Sequence, residues 1–401
     1  MSTATMSVNR PATRGGGIRL DPITLAIVLA IVLLGLVMVT SASISIAANE
    51  GGDPFTYLER QLLLTLIGGL GAALLFCIPT QLLERLALPL LCLAGLLLVI
   101  VLIPGIGHAV NGSRRWIKLA GLNFQGSELV RVMVLVWISS YAVRREKELH
   151  ETLLGLVKPL GVLAVFFVLL VAEPDFGAAA VLFVTGFGIL FIAGARLRNV
   201  LLLALTGACL IALVLLSADY RVRRLTAFLN PWADPFNSGF QLTQSLIAIG
   251  RGEWFGVGLG ESVQKLFYLP EAHTDFLFAV LAEELGLAGV LLTLGLFLAL
   301  AWRSLWVARL ANDAGRKFAA CLAAGFGVWI GVQAFINIGV NMGVLPTKGL
   351  TLPLMSYGRS SLIVTLAWVG MLLRVYHEAT AGARNGALAR RASSHHGEDG
   401  A

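Results

Sequence analysis

The run Ile23-Thr-Leu-Ala-Ile-Val-Leu-Ala-Ile-Val-Leu-Leu-Gly-Leu-Val-Met-Val-Thr40 decides the fold, because it contains no charged residue. A helix needs about 20 mostly apolar residues to cross the hydrocarbon core of a bilayer. The run is also too long for the apolar core of a signal peptide. We therefore predict that it is a retained membrane-spanning helix, preceded by a polar tail over residues 1–21.

Comparable apolar runs recur along almost the whole chain. Of the 401 residues, 57% are hydrophobic and 13% are charged, and the mean hydropathy is +0.83, whereas soluble domains carry about 25% charged residues. This composition excludes an ordinary soluble protein. We predict an all-α integral membrane protein with ten transmembrane helices, at residues 22–47, 58–78, 84–104, 127–143, 155–173, 176–194, 199–217, 275–302, 317–341 and 360–377.

The charge distribution predicts the orientation. An even number of spans places both termini on one side, and Lys and Arg are more numerous on that side, so cytoplasmic N- and C-termini are favoured. We predict a ten-helix transmembrane domain at 22–379, in which a large extracytoplasmic loop at 218–274 joins helices 7 and 8. A disordered cytoplasmic tail is predicted at 380–401.

Composition argues against two other kinds of site. The net charge of +7 is spread over short loops rather than gathered in one basic module, so we predict no nucleic-acid partner. The four cysteines lie in apolar runs without metal-ligand spacing. We expect them to be packing residues and predict no protein metal site from the sequence.

The strongest candidate for chemistry is Asp275, in the stretch Tyr268-Leu-Pro-Glu-Ala-His-Thr-Asp-Phe276. If Thr274 caps the following helix, Asp275 lies in the first turn, where partial desolvation raises a carboxyl pKa and favours proton acceptance. The other interpretation is that Asp275 only complements the positive end of the helix dipole. The local sequence leaves both open.

Two further acids, Glu283 and Glu284, follow in the same apolar run. On a continuous helix they lie roughly 12 Å deeper than Asp275. Acids at that depth indicate a wet cavity, a proton path or pairing with a cation on a neighbouring helix. We expect Gly286, just beyond them, to allow close helix packing.

Clusters of cations are the candidate contacts for an anionic lipid headgroup. Arg114, Arg115 and Lys118 lie within one short stretch and suit a diphosphate, although interfacial snorkelling explains them equally well. Arg223, Arg224 and Lys348 lie on other predicted outer segments. The segment 173–175 forms a tight outer turn, which we interpret as structural.

Four sequence blocks resemble the SEDS family (shape, elongation, division and sporulation). They are Asn230–Phe236, Gln241–Ser245, Tyr268–Phe276 and Leu345–Gly358, and the resemblance extends from the first span to about residue 377. The sequence Pro346-Thr-Lys-Gly-Leu350 within the last block is similar to that of the division branch of the family rather than to that of the elongation branch. Two departures are Arg359, where the family usually has glycine, and Gly126, where proline is common.

The resemblance implies an enzyme, a lipid II polymerase of the bacterial inner membrane acting at the division septum. Its partners would be an FtsI-like class B penicillin-binding protein and other divisome membrane proteins, with Mg or Mn as the candidate cofactor. Asp275 becomes the catalytic candidate. The residues predicted to bind substrate are Arg114, Arg115, Lys118, Glu128, Arg223, Arg224, Lys265, His273, Thr274, Glu283, Lys348 and Ser356.

Two other functions fit the same sequence. A lipid II flippase would also combine a polytopic bundle with membrane-depth acids and cationic loops. A noncatalytic division scaffold would only recruit the penicillin-binding protein. Polymerisation of externally supplied lipid II distinguishes an enzyme from a flippase, and dependence on Asp275 distinguishes it from a scaffold.

Overall fold

The computed structural model describes residues 18–103, 107–110, 113–119, 122–203, 205, 228–237, 239–347 and 349–398. Side chains are not described for 108–114, 117–123 and 382–398. The helices are α1 Pro22–Asn49, α2 Thr56–Cys77, α3 Thr80–Arg85, α4 Ala87–Leu102, α5 Gly126–Arg144, α6 Glu146–Glu151, α7 Leu153–Ala172, α8 Phe176–Ile192, α9 Phe240–Arg251, α10 Leu277–Asp313, α11 Lys317–Asn341 and α12 Arg359–Glu398.

The apolar runs form the expected helices. Within the described residues, seven helices are long and apolar enough to cross a membrane, and the shorter apolar helices α4 and α8 match two more of the predicted spans. The predicted span at 199–217 lies mostly outside the described residues. Within the segment 218–274, predicted as a large loop, the structure contains the short helix α9.

A small sheet is the main departure from an all-α fold. Strands β1 His108–Val110, β2 Ser113–Leu119 and β3 Leu122–Gln125 form an antiparallel sheet in the order β1-β2-β3. Trp116 on β2 pairs with Gln125 on β3. The sequence predicts only a loop in this segment, because strands this short carry little periodic signal. The sheet places Arg115 and Gln125 beside the entrance to α5.

Helix α10 is not continuous, contrary to our expectation. Gly286 has φ 64° and ψ −161° and divides α10 into two segments. The loop after α9 fills the break, because Val257 N donates to Glu283 O at 2.9 Å and Leu287 N donates to Glu253 O at 2.9 Å. A Cβ on Gly286 would lie 2.3 Å from Gly256 N. The break follows Glu283 and Glu284, so both glutamates lie on the short first segment of α10, before Gly286.

The start of α10 and the C-terminal part of α12 also differ from expectation. Thr274 does not cap α10, because its hydroxyl donates to Glu271 Oε2 at 2.7 Å and the helix begins at Leu277. Helix α12 continues to Glu398 through the predicted disordered tail, where frequent alanines favour helix locally.

The interior of the bundle includes Trp329 and Trp368, whose rings pack edge to face at 5.6 Å.

Candidate functional site

The backbone of Asp275 is fixed from helix α11. Asn337 Nδ2 donates to the Asp275 carbonyl oxygen at 2.8 Å and to the Leu350 carbonyl oxygen at 2.6 Å. Asn341 Nδ2 also donates to the Asp275 carbonyl oxygen, at 3.1 Å, while Asn341 Oδ1 accepts from Ala279 N at 3.2 Å. The two asparagines therefore hold the turn before α10 and the 349–351 segment against the same helix.

The side chain of Asp275 lines a cavity of about 440 Å³. The β2–β3 sheet, the turn before α10, the 349–351 segment and the start of α12 form its walls. Gly349 lies beside the carboxylate, since a Cβ at that position would lie 3.2 Å from Asp275 Oδ2. The lining residues are Arg115, Trp116, Gln125, Glu271, His273, Thr274, Asp275, Gly349, Thr351, Tyr357, Gly358, Arg359, Ser360 and Ser361.

Burial in the cavity changes the acidity of Asp275. Burial and then the negative charge of Glu271 raise the pKa of Asp275 to about 7, although Arg115 acts in the opposite direction. A general base works best when its pKa lies near the working pH. Asp275 therefore has the burial and the pKa that the base interpretation requires, and it precedes the first residue of α10.

Asp175 connects the sheet to the turn between α7 and α8. Its carboxylate accepts hydrogen bonds from Gln125 Nε2 and from Ser127 Oγ, both at 2.9 Å. It also lies 3.9 Å from Arg115 Nη1 and accepts from Ala178 N at 3.1 Å. The sequence indicates only a structural role for this turn. In the structure, the turn also holds Arg115, a cation that lines the cavity.

Glu173, in the same turn, is fully buried. Neither of its carboxylate oxygens has a hydrogen-bond partner among the described residues. Burial and then the charge of Asp175 raise the pKa of Glu173 to about 8. A pKa of about 8 favours the neutral carboxyl of Glu173 at neutral pH, which avoids the cost of an unpaired buried charge.

The structure brings together part of the predicted substrate set. Arg115, His273 and Thr274 line the cavity with Asp275. Ser356 instead stabilises the adjacent turn, where its Oγ accepts from Leu352 N at 3.1 Å. The positions of Arg223, Arg224 and Lys348, and the side chains of Arg114 and Lys118, lie outside the described residues.

Glu128 lies inside the bundle, outside the cavity lining. It forms an ion pair of 3.3 Å with Arg131, whose Nη1 donates to Gln333 Oε1 at 2.7 Å. Gln333 in turn donates to the Thr351 carbonyl oxygen at 3.1 Å. Glu128 is therefore connected to the cavity wall through two intermediate side chains.

Lys265 and Glu283 belong to a second cluster, in which both glutamates of α10 are fully buried. Lys265 Nζ donates to Glu284 Oε1 at 2.8 Å, and Ser41 Oγ donates to the same oxygen at 2.7 Å. Glu283 accepts from Arg251 Nη1 at 3.2 Å and from Ser262 Oγ. This cluster attaches the 252–265 loop to α10 and α1.

Ten of the fourteen cavity residues were not in the predicted site, among them Thr351, Tyr357 and Ser361. Tyr357 Oη and Ser361 Oγ have no hydrogen-bond partner among the described residues. Both lie within or just after the block Leu345–Gly358, which is the signal that pointed to this segment. In the part of the chain described, no group of three or more His, Cys, Asp or Glu residues is placed to hold a metal ion.

Two proteins with similar sequences match most of the chain. A protein of Thioalkalivibrio sulfidiphilus named "Probable peptidoglycan glycosyltransferase FtsW" is 54% identical over 88% of each chain. A protein of Nitrosococcus halophilus with the same name is 54% identical over 91% of this chain and 94% of its own. These relatives match the division branch suggested by the sequence.

Solved structures give the same fold. One comes from work titled "Structural coordination of polymerization and crosslinking by a peptidoglycan synthase complex", and superposes with a TM-score of 0.73, 32% identity and coverage of 90% of this chain and 99% of the other. The rod shape determining protein RodA of Thermus thermophilus gives a TM-score of 0.65, 31% identity and coverage of 90% and 97%. The model of a family described as "Cell cycle protein" matches residues 22–381. The chain is thus a multi-pass membrane protein that belongs to the FtsW/RodA/SpoVE family, whose SEDS blocks the sequence displays.

Proposed function

We propose that this chain is an inverting glycosyltransferase that polymerises lipid II into glycan strands during septal wall synthesis and releases undecaprenyl diphosphate. The observation that carries the proposal is a carboxylate, Asp275, with a pKa of about 7 in a cavity lined by a cation and by hydroxyl groups. The names of the relatives support the same activity.

The proposed reaction needs one base. Asp275 accepts the proton from a sugar hydroxyl of one lipid II molecule while that oxygen attacks the anomeric carbon of the growing chain. The bond from this carbon to undecaprenyl diphosphate breaks on the opposite face, so the anomeric centre inverts. Diphosphate leaves without a proton, and nearby cations stabilise its developing charge. Arg115 is the described candidate, with Arg114, Lys118 and Lys348 proposed from the sequence.

The proposal includes ten spans with both termini in the cytoplasm, which places Asp275 and the 218–274 loop on the outer face of the inner membrane. We propose a class B penicillin-binding protein as the partner that crosslinks the new glycan, with other divisome membrane proteins at the septum. The structural neighbour whose title names a peptidoglycan synthase complex supports this association.

The test uses purified chain with its penicillin-binding partner in proteoliposomes, supplied with lipid II on the outer face. We expect wild-type protein to make glycan strands and Asp275→Asn to lose about 100-fold or more of the rate. Asp313→Asn is the matched control, because Asp313 is exposed at the other end of α10. Undiminished synthesis by folded Asp275→Asn protein would remove the base assignment.

Two results, one from this assay and one from cells, separate the alternative functions. A flippase would leave externally supplied lipid II unpolymerised in the wild-type reaction. A scaffold would support division in cells that carry Asp275→Asn. Either result contradicts the proposed enzyme.

A further inference from the structure

The start of helix α12 is the part of the cavity wall whose polar groups have no assigned role. Arg359, Ser360 and Ser361 form the first turn of α12 and line the cavity together with Tyr357. The N–H groups in the first turn of a helix have no partner within the helix, and the helix dipole adds a partial positive charge there. A helix start of this kind attracts anions.

Two buried hydroxyl groups support an anion site here. Ser361 and Tyr357 are each 7% exposed, and neither Ser361 Oγ nor Tyr357 Oη has a hydrogen-bond partner among the described residues. Buried hydroxyl groups normally have a hydrogen-bond partner, either in the protein or in an ordered water molecule. Both line the same cavity, so a ligand in that cavity would satisfy them.

The surrounding contacts hold these groups in place. The Tyr357 ring packs against the rings of Tyr57 at 5.3 Å and His273 at 5.7 Å. Tyr357 N donates to the His273 carbonyl oxygen at 3.0 Å, and Ser360 Oγ accepts from Gln125 N at 2.8 Å. The start of α12 is therefore attached both to the Asp275 turn and to the sheet, which favours a preorganised site.

We propose that Arg359, Ser361 and Tyr357 form a subsite for the diphosphate of the polyprenyl-linked substrate, in the cavity that Asp275 also lines. The inference rests on the proposed function, because inversion requires the leaving diphosphate and the base on opposite faces of the sugar. Arg115 is bound to Asp175 and acts electrostatically on Asp275. Arg359 supplies a second guanidinium, suited to forked contacts with phosphate oxygens.

The central experiment compares wild-type protein with Arg359→Gln in complex with its penicillin-binding partner. Initial rates are measured against lipid II concentration, with and without inorganic diphosphate as a competitor. We expect Arg359→Gln to raise the KM for lipid II and the inhibition constant of diphosphate by about tenfold each. Arg359→Lys keeps the positive charge without the forked donors of the guanidinium, so it should recover part of the binding that Arg359→Gln loses.

Matched controls separate a local contact from a general charge effect. Arg198→Gln removes one positive charge at an exposed residue. It should change neither the KM for lipid II nor the inhibition constant of diphosphate. Ser361→Ala and Tyr357→Phe each remove one hydroxyl and should weaken diphosphate binding by about threefold. Unchanged constants in folded Arg359→Gln protein would overturn the proposal, as would an equal effect in Arg198→Gln.

A binding measurement keeps this test independent of polymerisation. Inorganic diphosphate is titrated into the complex and followed by ³¹P NMR line broadening. Binding that requires Arg359 would support the subsite even in a protein that makes no glycan, in which case only the proposed function fails. Equal competition by phosphatidylglycerol vesicles would assign the site to a membrane headgroup and overturn the substrate assignment.

Discussion

The two acidic regions on either side of the start of helix α10 differ in how their carboxylates are bonded. In the Glu283–Glu284 cluster, Arg251, Ser262, Lys265 and Ser41 bond the glutamates. Asp275, eight residues earlier, lies in a cavity where Arg115 is the cation that lowers its pKa. Carboxylates surrounded by internal donors hold the fold, whereas a carboxylate left to face a cavity remains available to a substrate.

The largest expected effect concerns the stability that the Glu283–Glu284 cluster contributes. Removing one partner of a buried ion pair typically costs about 3 to 5 kcal/mol, because the other charge is left uncompensated. We expect Glu284→Ala to lower the stability of the protein by that order, measured by thermal unfolding in detergent. The loss arises because Lys265, 6% exposed, would then lack its carboxylate.

The control for this prediction replaces both partners. In the double variant Glu284→Met with Lys265→Met, neither charge is buried, so stability should return close to that of the wild type. If the double variant were as unstable as Glu284→Ala, the carboxylate itself, through its bond to Ser41, would be required. If Glu284→Ala were fully stable, the distinction between the two regions would be lost.

The second prediction concerns the pH dependence of catalysis. Asp275 must be ionised to accept a proton, and its pKa is about 7. The rate should therefore fall about tenfold for each pH unit below 7. Rate measurements between pH 5 and 8 test this, and a flat profile down to about pH 5 would show that the base has an ordinary pKa.

The contribution of Asp275 to the stability of the fold should change with pH in the direction opposite to that of the rate. The folded pKa of Asp275 is raised above its ordinary value of 3.8, so the neutral form favours folding. That contribution is fully present below about pH 4 and is lost as the pH rises through about 7. Asp275→Asn does not titrate, so thermal unfolding of this variant should lack this part of the pH dependence.

The sequence predicts those features that depend on composition and on local pattern. Apolar runs predict the helices because the bilayer requires them, as for α1 and α11. The block Tyr268–Phe276 identifies Asp275, and the structure places it in a cavity. These predictions need no knowledge of which helices pack together.

The features that the sequence misses depend on contacts between distant residues. Ser41 and Glu284 are far apart in the chain but share a hydrogen bond, so periodicity alone cannot reveal that Glu284 is bonded. Gly286 is interpreted as a packing residue, yet the loop carrying Gly256 replaces the hydrogen bonds at its helix break. Asp175 is interpreted as part of a turn because its partners, Arg115 and Gln125, lie on strands too short to predict.

The smallest expected effect tests how the turn that carries Asp275 is positioned. Asn341 contacts the start of α10 at two points, the carbonyl oxygen of Asp275 and the N–H of Ala279. Asn341→Ala removes both hydrogen bonds but leaves Asn337 bonded to the same carbonyl. Since one net hydrogen bond is worth about 1 kcal/mol, we expect kcat to fall about fivefold with little change in the KM for lipid II.

A matched variant distinguishes positioning from general loss of structure. Asn312→Ala, at an exposed position near the other end of α10, should leave kcat unchanged. If Asn341→Ala lowered kcat while the pH midpoint stayed near 7, Asn341 would act on the placement of the carboxylate. If it shifted the midpoint toward ordinary aspartate values instead, Asn341 would act by keeping water out of the cavity. The two outcomes decide whether the Asp275 region differs from the Glu284 cluster mainly in geometry or mainly in solvent access.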